Sequence, residues 1–179
     1  LEQAGAKSYE FSTASASATA YSDLPSVSIV PADDRSTDIE PLPVVVLDSE
    51  NVSFVGDEAV FEDKEQAEKV ISTVAQTLLA HPKNSVYVVG CTASATGKED
   101  FCQILSEERA SEVVELLKEF GVPTEQMKAV GMGSQAPWHV TDLDASGHQI
   151  EEYAKQNRCV VILDTLDTEY GAAVAAALE

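Results

Sequence analysis

A chain of 179 residues, 44% hydrophobic and only 6% aromatic, suits one domain with an appended segment and a core of Val, Leu, Ile and Ala. Its 11 Lys and Arg stand against 31 Asp and Glu, a formal charge of -20. That surface repels phosphate backbones and anionic lipid, which excludes nucleic acid and acidic membrane faces as partners. No run of about 18 apolar residues occurs, so no segment reads as a membrane-crossing helix.

Residues 1–43 differ in composition from the rest of the chain. "SYEFSTASASATAYSD" is rich in Ser, Ala and Thr, and "PADDRSTDIEPLP" in Pro and Asp. Such compositions bury little apolar surface and read as an extended, partly disordered leader. Pro25, Pro31, Pro41 and Pro43 argue against helix. "YEF" and "SVSIV" carry the pattern of edge strands.

A folded domain is expected over 44–165. "PVVVLD" and "NVSFVGDEAVF" are β-branched and apolar, and both read as strands. Over 64–80, Ala67, Val70, Ile71, Val74, Ala75, Leu78 and Leu79 recur at steps of three and four, the buried face of a helix. Asp63 with Gln66 three residues later resembles a capping box, and Pro82 ends the segment. "SVYVVG" is a near-continuous apolar strand of the kind a covered sheet tolerates. The next helix starts at Glu99 or Leu105 and runs to Phe120, with Leu105, Val113, Val114, Leu116, Leu117 and Phe120 inward and Gly121 as its stop. "MKAVGMG" comes next as a strand, "WHVTDLDASG" as a loop, "HQIEEYAKQNR" as a short helix and "CVVIL" as the last strand. The order β-α-β-α-β-α-β makes an α/β sandwich, α+β in the sense that helices pack on one mixed sheet. Residues 166–179 read as a tail whose end, "AAALE", looks vector-derived.

No catalytic set and no metal site emerge. Ser106 is read as a helix N-cap, His139 and His148 lack a nucleophile beside them in sequence, and no CxxC or HxxxH spacing occurs. "HVTDLDASG" lacks the bidentate Glu of a calcium loop, and Trp138 reads as a loop anchor. Neither an enzymatic activity nor a cofactor is expected.

The series "GCTASATG", "LSEERASEVVELLKEFGV", "GMGSQAP" and "NRCVVIL", in this order over about 52–163, resembles the OmpA-like domain family. That family includes the C-terminal domain of outer-membrane protein A, the peptidoglycan-associated lipoprotein and the flagellar stator protein MotB. The resemblance implies a non-catalytic module of the periplasm or cell envelope, associated with the outer membrane and bound non-covalently to peptidoglycan. Its implied ligand is the diaminopimelate arm of the stem peptide, a carboxylate beside an ammonium. Arg109, in the Leu-Ser-x-x-Arg-Ala motif, would take the carboxylate in a planar two-bond fork. Thr92, Ala93, Asn157 and Arg158 would be its neighbours.

The chain departs from the family at the loop. Where relatives read Gly-His-Thr-Asp or Gly-His-Ala-Asp, this sequence reads Gly90-Cys91-Thr92-Ala93, so the acid that takes the ammonium is Ala93, and Glu99 is the first carboxylate after it. Cys102 stands where Asn is common and Cys159 where a second Arg is common. Two readings of the thiols stay open: buried free thiols, or a Cys91–Cys102 disulfide clamping the loop to the second helix in an oxidising compartment. The lost acid weakens or alters diaminopimelate recognition. The alternative is a domain that has left the cell wall and serves as a protein–protein scaffold, with the leader joining copies into a homo-oligomer.

Overall fold

The structure, a computed structural model, describes residues 39–179. The strands read in "YEF" and "SVSIV" fall outside them. In chain order the regular elements are β1 (Val45–Asp48), α1 (Lys64–Ala80), β2 (Val86–Gly90), α2 (Glu99–Glu119), β3 (Met127–Gly131), α3 (Glu151–Asn157), β4 (Cys159–Asp164) and α4 (Gly171–Ala176). The sheet order is β1-β4-β2-β3. β2 and β3 are parallel, while β4 runs antiparallel to both β1 and β2. The last strand therefore slots between the first two, pairing Leu47 with Val160 on one side and Val89 with Val161 on the other.

Alternation along the strands builds two cores. On one sheet face Leu47, Val86, Val88, Val160 and Ile162 meet Val70, Ile71 and Val74 of α1 and Ala110, Val113 and Leu117 of α2. On the other, Val89, Val130, Val161 and Leu163 meet Trp138 of the long loop and Val174 of α4. A strand apolar on both faces is what such double coverage demands, and β4 is buried at every position. Trp138 stands edge-on to Tyr170 with ring centres 5.3 Å apart, so the loop is anchored as expected. α4 lies in the segment read from sequence as a tail, and its Val174 is fully buried.

The helices start and stop for legible reasons. Asp63 caps α1 by accepting from Gln66 N–H at 3.0 Å, whereas the Gln66 side chain reaches the carbonyls of Glu50 and Asn51 and does not complete a capping box. Gly121, at φ 96, takes the left-handed turn that ends α2. Leu79 and Phe120, expected inward, face solvent, each at the margin of its helix's apolar stripe. Ser106 is not an N-cap: α2 begins at Glu99, and Ser106 is buried within it.

That burial reflects a close approach. A Cβ on Gly90 would stand 1.8 Å from the Ser106 carbonyl oxygen, and one on Gly131 would stand 2.6 Å from Glu107 N. The α2 backbone therefore rests on two strand ends with no side chain between. Ser106 Oγ accepts from Gly133 N–H at 2.9 Å, and the Gln103 amide donates to Gly131 O at 2.6 Å. Both bonds sew the helix to the end of β3.

The segment "NVSFVGDEAVF" departs from expectation. It folds back on itself as a short ribbon with one bridge, Phe54 to Phe61, and not as a strand of the sheet. Gly56 and Asp57 make the turn, Asp57 in the left-handed region at φ 59. Val55 N–H bonds Val60 O at 2.8 Å and Glu62 N–H bonds Ser53 O at 2.9 Å, so its backbone groups pair locally.

Gly90→Ala is expected to cost about 3 kcal/mol, the upper part of the overpacking range, because a backbone carbonyl cannot rotate out of the way. Urea unfolding measures it. An unchanged midpoint would mean that α2 does not sit this close to β2.

Candidate functional site

The β4 insertion brings the start of β4, the loop after β2, the 53–62 ribbon and α2 around one cavity of about 490 Å³. Its walls include Phe54 and Asp57 of the ribbon, Cys91, Ala95 and Thr96 of the loop, Arg109 of α2, and Lys155, Arg158 and Cys159 around the α3–β4 junction.

Arg109 is 8% exposed. Its Nε donates to Glu58 O at 2.9 Å and its Nη2 to Val55 O at 3.1 Å, while its Cζ lies 5.1 Å from the Phe54 ring centre. The ribbon is thus a cradle for the guanidinium, made of two carbonyls and an aromatic face. Phe61 stacks behind Phe54 at 4.9 Å and stiffens it. Among the described residues no ion pair engages Arg109. Its pKa is lowered, chiefly by burial, with Arg158 adding to the effect and Asp57 opposing it. A desolvated cation with carbonyl partners only, beside a second cation, creates a local positive potential on a strongly acidic chain.

The other expected residues divide. Arg158 lines the cavity and pairs with Glu151, leaving it partly exposed. Thr92 and Ala93 are fully buried and lie off the cavity wall; Thr92 N–H bonds Gly133 O at 2.8 Å. Asn157 is turned to the long loop: its amide donates to Val140 O at 2.8 Å and Asp142 Oδ2 at 2.9 Å, and its Oδ1 accepts from Val140 N–H at 2.9 Å. Glu99 and Asp100, the nearest acids after the loop in sequence, are exposed and absent from the cavity wall. The acids that do line it, Asp57 and Glu62, come from the ribbon. Reading that ribbon as a strand hid them, and the Gly56-Asp57 turn dipeptide was the available signal.

The thiols also sort differently. All three cysteines are free. Cys102 Sγ faces Gly97 O at 3.6 Å, whereas Cys91 stands beside Cys159 and its N–H bonds Cys159 O at 2.9 Å. The Cys91–Cys102 clamp is absent because Cys102 turns to its own loop while Cys91 continues the β2–β4 ladder. A hydrogen bond with Cys91, then burial, push the Cys159 thiol well above its usual range.

One constellation lay outside sequence reasoning. Ser94 Oγ is 3.0 Å from His139 Nε2, and Asp142 Oδ1 is 3.7 Å from the same nitrogen. A serine–histidine–carboxylate relay needs its serine and acid on opposite ring nitrogens, so this is a clamp between the loop after β2 and the long loop. Asp142, 1% exposed, also accepts from Ser94 N–H at 2.9 Å. Burial raises the Asp142 pKa, but the Ser94 and Asn157 hydrogen bonds and His139 outweigh it, and the carboxyl ends below its usual range. Burial lowers His139 below its usual range despite Asp142.

Comparison with known proteins leads to the same family. The sequence model of the OmpA family matches residues 53–150. The peptidoglycan-associated lipoprotein of Brucella melitensis is 27% identical over 115 residues, which are 62% of this chain and 64% of that protein. The chain thus spans somewhat under two thirds of that relative's length. The crystal structure of the peptidoglycan-associated lipoprotein from Burkholderia pseudomallei superposes with TM-score 0.51 at 26% identity, covering 63% of this chain and 87% of that one. The cell wall anchor of the T6SS from Pseudomonas aeruginosa shares the fold, with TM-score 0.51 at 22% identity over 69% of this chain and 85% of that one.

The clamp makes stability depend on pH with a definite sign. His139 and Asp142 both have folded pKa values below their unfolded ones, so each contributes stability that is complete above the unfolded pKa and lost as pH falls through the folded one. The stability advantage of the wild type over His139→Gln is therefore expected to shrink as pH drops below about 6.5. Urea midpoints at successive pH values measure it, and a constant difference down to about pH 5 would contradict a neutral, half-buried imidazole.

Proposed function

The chain belongs to the OmpA family, and on that footing we propose that it is a non-enzymatic, extracytoplasmic module that docks on peptidoglycan through a stem-peptide carboxylate held by Arg109. The observation that carries this reading is the state of that side chain: a guanidinium in a cavity wall, 8% exposed, bonded to two carbonyls and to no acid. Of the five N–H donors of an arginine, two are used, which leaves three for a ligand anion. The ribbon carbonyls fix the plane of the fork, so little side-chain entropy remains to be lost on binding.

Recognition of the ligand's ammonium is altered. Position 93 presents no acid, and Ala93 is fully buried. Asp57 and Glu62, on the ribbon wall, are the carboxylates left to receive a cationic end. Lys155 and Arg158 raise the positive field from the α3–β4 side. A ligand is then oriented with its carboxylate between Arg109 and Arg158 and any ammonium toward Asp57, a different placement from the one the loop acid would impose. Where that placement is poorer, a charge-assisted bond of about 1.5–3 kcal/mol is forfeited and diaminopimelate affinity falls by roughly tenfold or more.

Two measurements test this. Co-sedimentation with purified peptidoglycan sacculi is expected to retain the wild type and to lose Arg109→Ala by about tenfold or more in affinity, while thermal melts report whether the variant remains folded. Arg109→Lys, a point charge without the fork, should retain only part of the binding. Wild type left in the supernatant, or Arg109→Ala retained equally while folded, would discard the cell-wall reading in favour of a protein–protein scaffold. Asp57→Asn should weaken competition by a soluble tripeptide ending in diaminopimelate more than by one ending in 2-aminopimelate, which keeps the distal carboxylate and lacks the distal ammonium. Equal loss for both would remove Asp57 from ammonium recognition.

A further inference from the structure

Two of the positions at which this sequence leaves the family pattern, Cys91 and Cys159, are far apart in the chain and face each other across the sheet. The β2–β4 ladder pairs Val89 with Val161 and Gly90 with Val160, and one further step in register pairs Cys91 with Cys159. The Cys91 N–H to Cys159 O bond of 2.9 Å confirms that step. Residues directly opposite in an antiparallel ladder project to the same face, and a hydrogen-bonded pair sets its Cα atoms about 5.5 Å apart. That spacing falls within the roughly 4.4–6.8 Å that a disulfide spans, while the Cβ atoms of such a pair, about 5.5 Å apart, must close by about 1 Å to reach bonding range. Both side chains join the same apolar cluster, beside Trp138, and both line the ligand cavity. The third thiol, Cys102, is turned to Gly97 O and does not compete.

We propose that Cys91 and Cys159 form a cross-strand disulfide in the wall of the cavity, made by a small shift of the loop after β2 toward β4 when the protein meets a disulfide-donating oxidant. The thiolate of one cysteine attacks a low-molecular-weight disulfide such as oxidised glutathione, releasing one glutathione thiolate and leaving a mixed disulfide. The second cysteine, deprotonated, attacks the protein sulfur of that mixed disulfide and releases the second glutathione. Two protein S–H bonds and one donor S–S bond are lost; one protein S–S bond and two glutathione S–H bonds form. The protons pass to the glutathione thiolates, and the donor disulfide is the species reduced.

The burial of the pair sets when this happens. At 3% and 7% exposure neither sulfur of the finished fold offers a ready path to a bulky donor. The exchange therefore belongs to folding, or to transient opening of the loop after β2, and the product is a permanent staple of the fold. Its consequence is local. Cys91 begins the loop that carries Ala95 and Thr96 into the cavity, and Cys159 comes directly after Arg158, so the bond fixes the distance between two walls of the ligand site.

The experiment needs no variant and does not depend on cell-wall binding. The purified chain is unfolded, refolded with a reduced and oxidised glutathione mixture, alkylated and digested without reductant. The expected result is a peptide pair joined through Cys91 and Cys159, lighter than the sum of its thiol forms by two hydrogens, with Cys102 alkylated. The oxidised protein should melt at higher temperature than the same sample treated with dithiothreitol. Its single tryptophan, Trp138, should fluoresce more weakly, since a disulfide beside an indole quenches it. Alkylation of both Cys91 and Cys159 after oxidative refolding, a link that includes Cys102, or a linked form that melts lower than the reduced one would each overturn the proposal.

Discussion

Helix α2 rests with its backbone on the backbones of Gly90 and Gly131, and much of the site descends from that contact. A side chain at either glycine would lie inside the helix's own backbone atoms, so the approach exists only because both strand ends are bare. Closeness brings Ser106 and Gln103 within reach of β3 and the turn beyond it, fixing the helix against rotation. With α2 so fixed, Arg109 reaches the carbonyls of the 53–62 ribbon. Here packing decides the position of a charge, and the charge decides what the cavity can hold.

The cost of burying that charge is met unusually. A desolvated cation is commonly paired with a carboxylate, yet Arg109 meets two carbonyls and a phenyl face. Carbonyls and ring satisfy donors without cancelling the net charge. On a chain of -20 this leaves a small positive focus with Arg158 nearby, and the acidic remainder of the surface discourages polyanions from reaching it. The proposed ligand, a small carboxylate, suits such a site better than an extended phosphate polymer does.

The loop after β2 is held from three directions. Backbone bonds from Cys91 and Thr92 tie its start to β4 and to Gly133, and Asp142 takes the Ser94 N–H from the long loop. Asn157 then ties Asp142 and Val140 to the end of α3. Thr92, Ala93 and Asn157 thus shape the cavity without facing it. Their work is to hold Ala95 and Thr96 in the wall, opposite the ribbon that cradles Arg109.

What the residues alone determined is local or periodic. The 3.6-residue recurrence in 64–80 and the apolar runs at 86–90 and 159–164 come from side-chain direction within one element, and they were readable without any partner. The Arg109 motif was readable too, since its residue types and spacing sit on a single helix. The structure decided what depends on which elements meet. β4 inserts between β1 and β2, so residues 68 positions apart in sequence, Cys91 and Cys159, become ladder neighbours, while Cys91 and Cys102, eleven apart, do not pair. "NVSFVGDEAVF" has the composition of a strand, yet it curls into a ribbon because the Gly56-Asp57 turn pairs its halves with each other and a buried guanidinium needs its carbonyls. Strand order and carbonyl direction are set by competition among distant segments for the same sheet edge and the same donors, and no stretch of sequence carries that competition within itself.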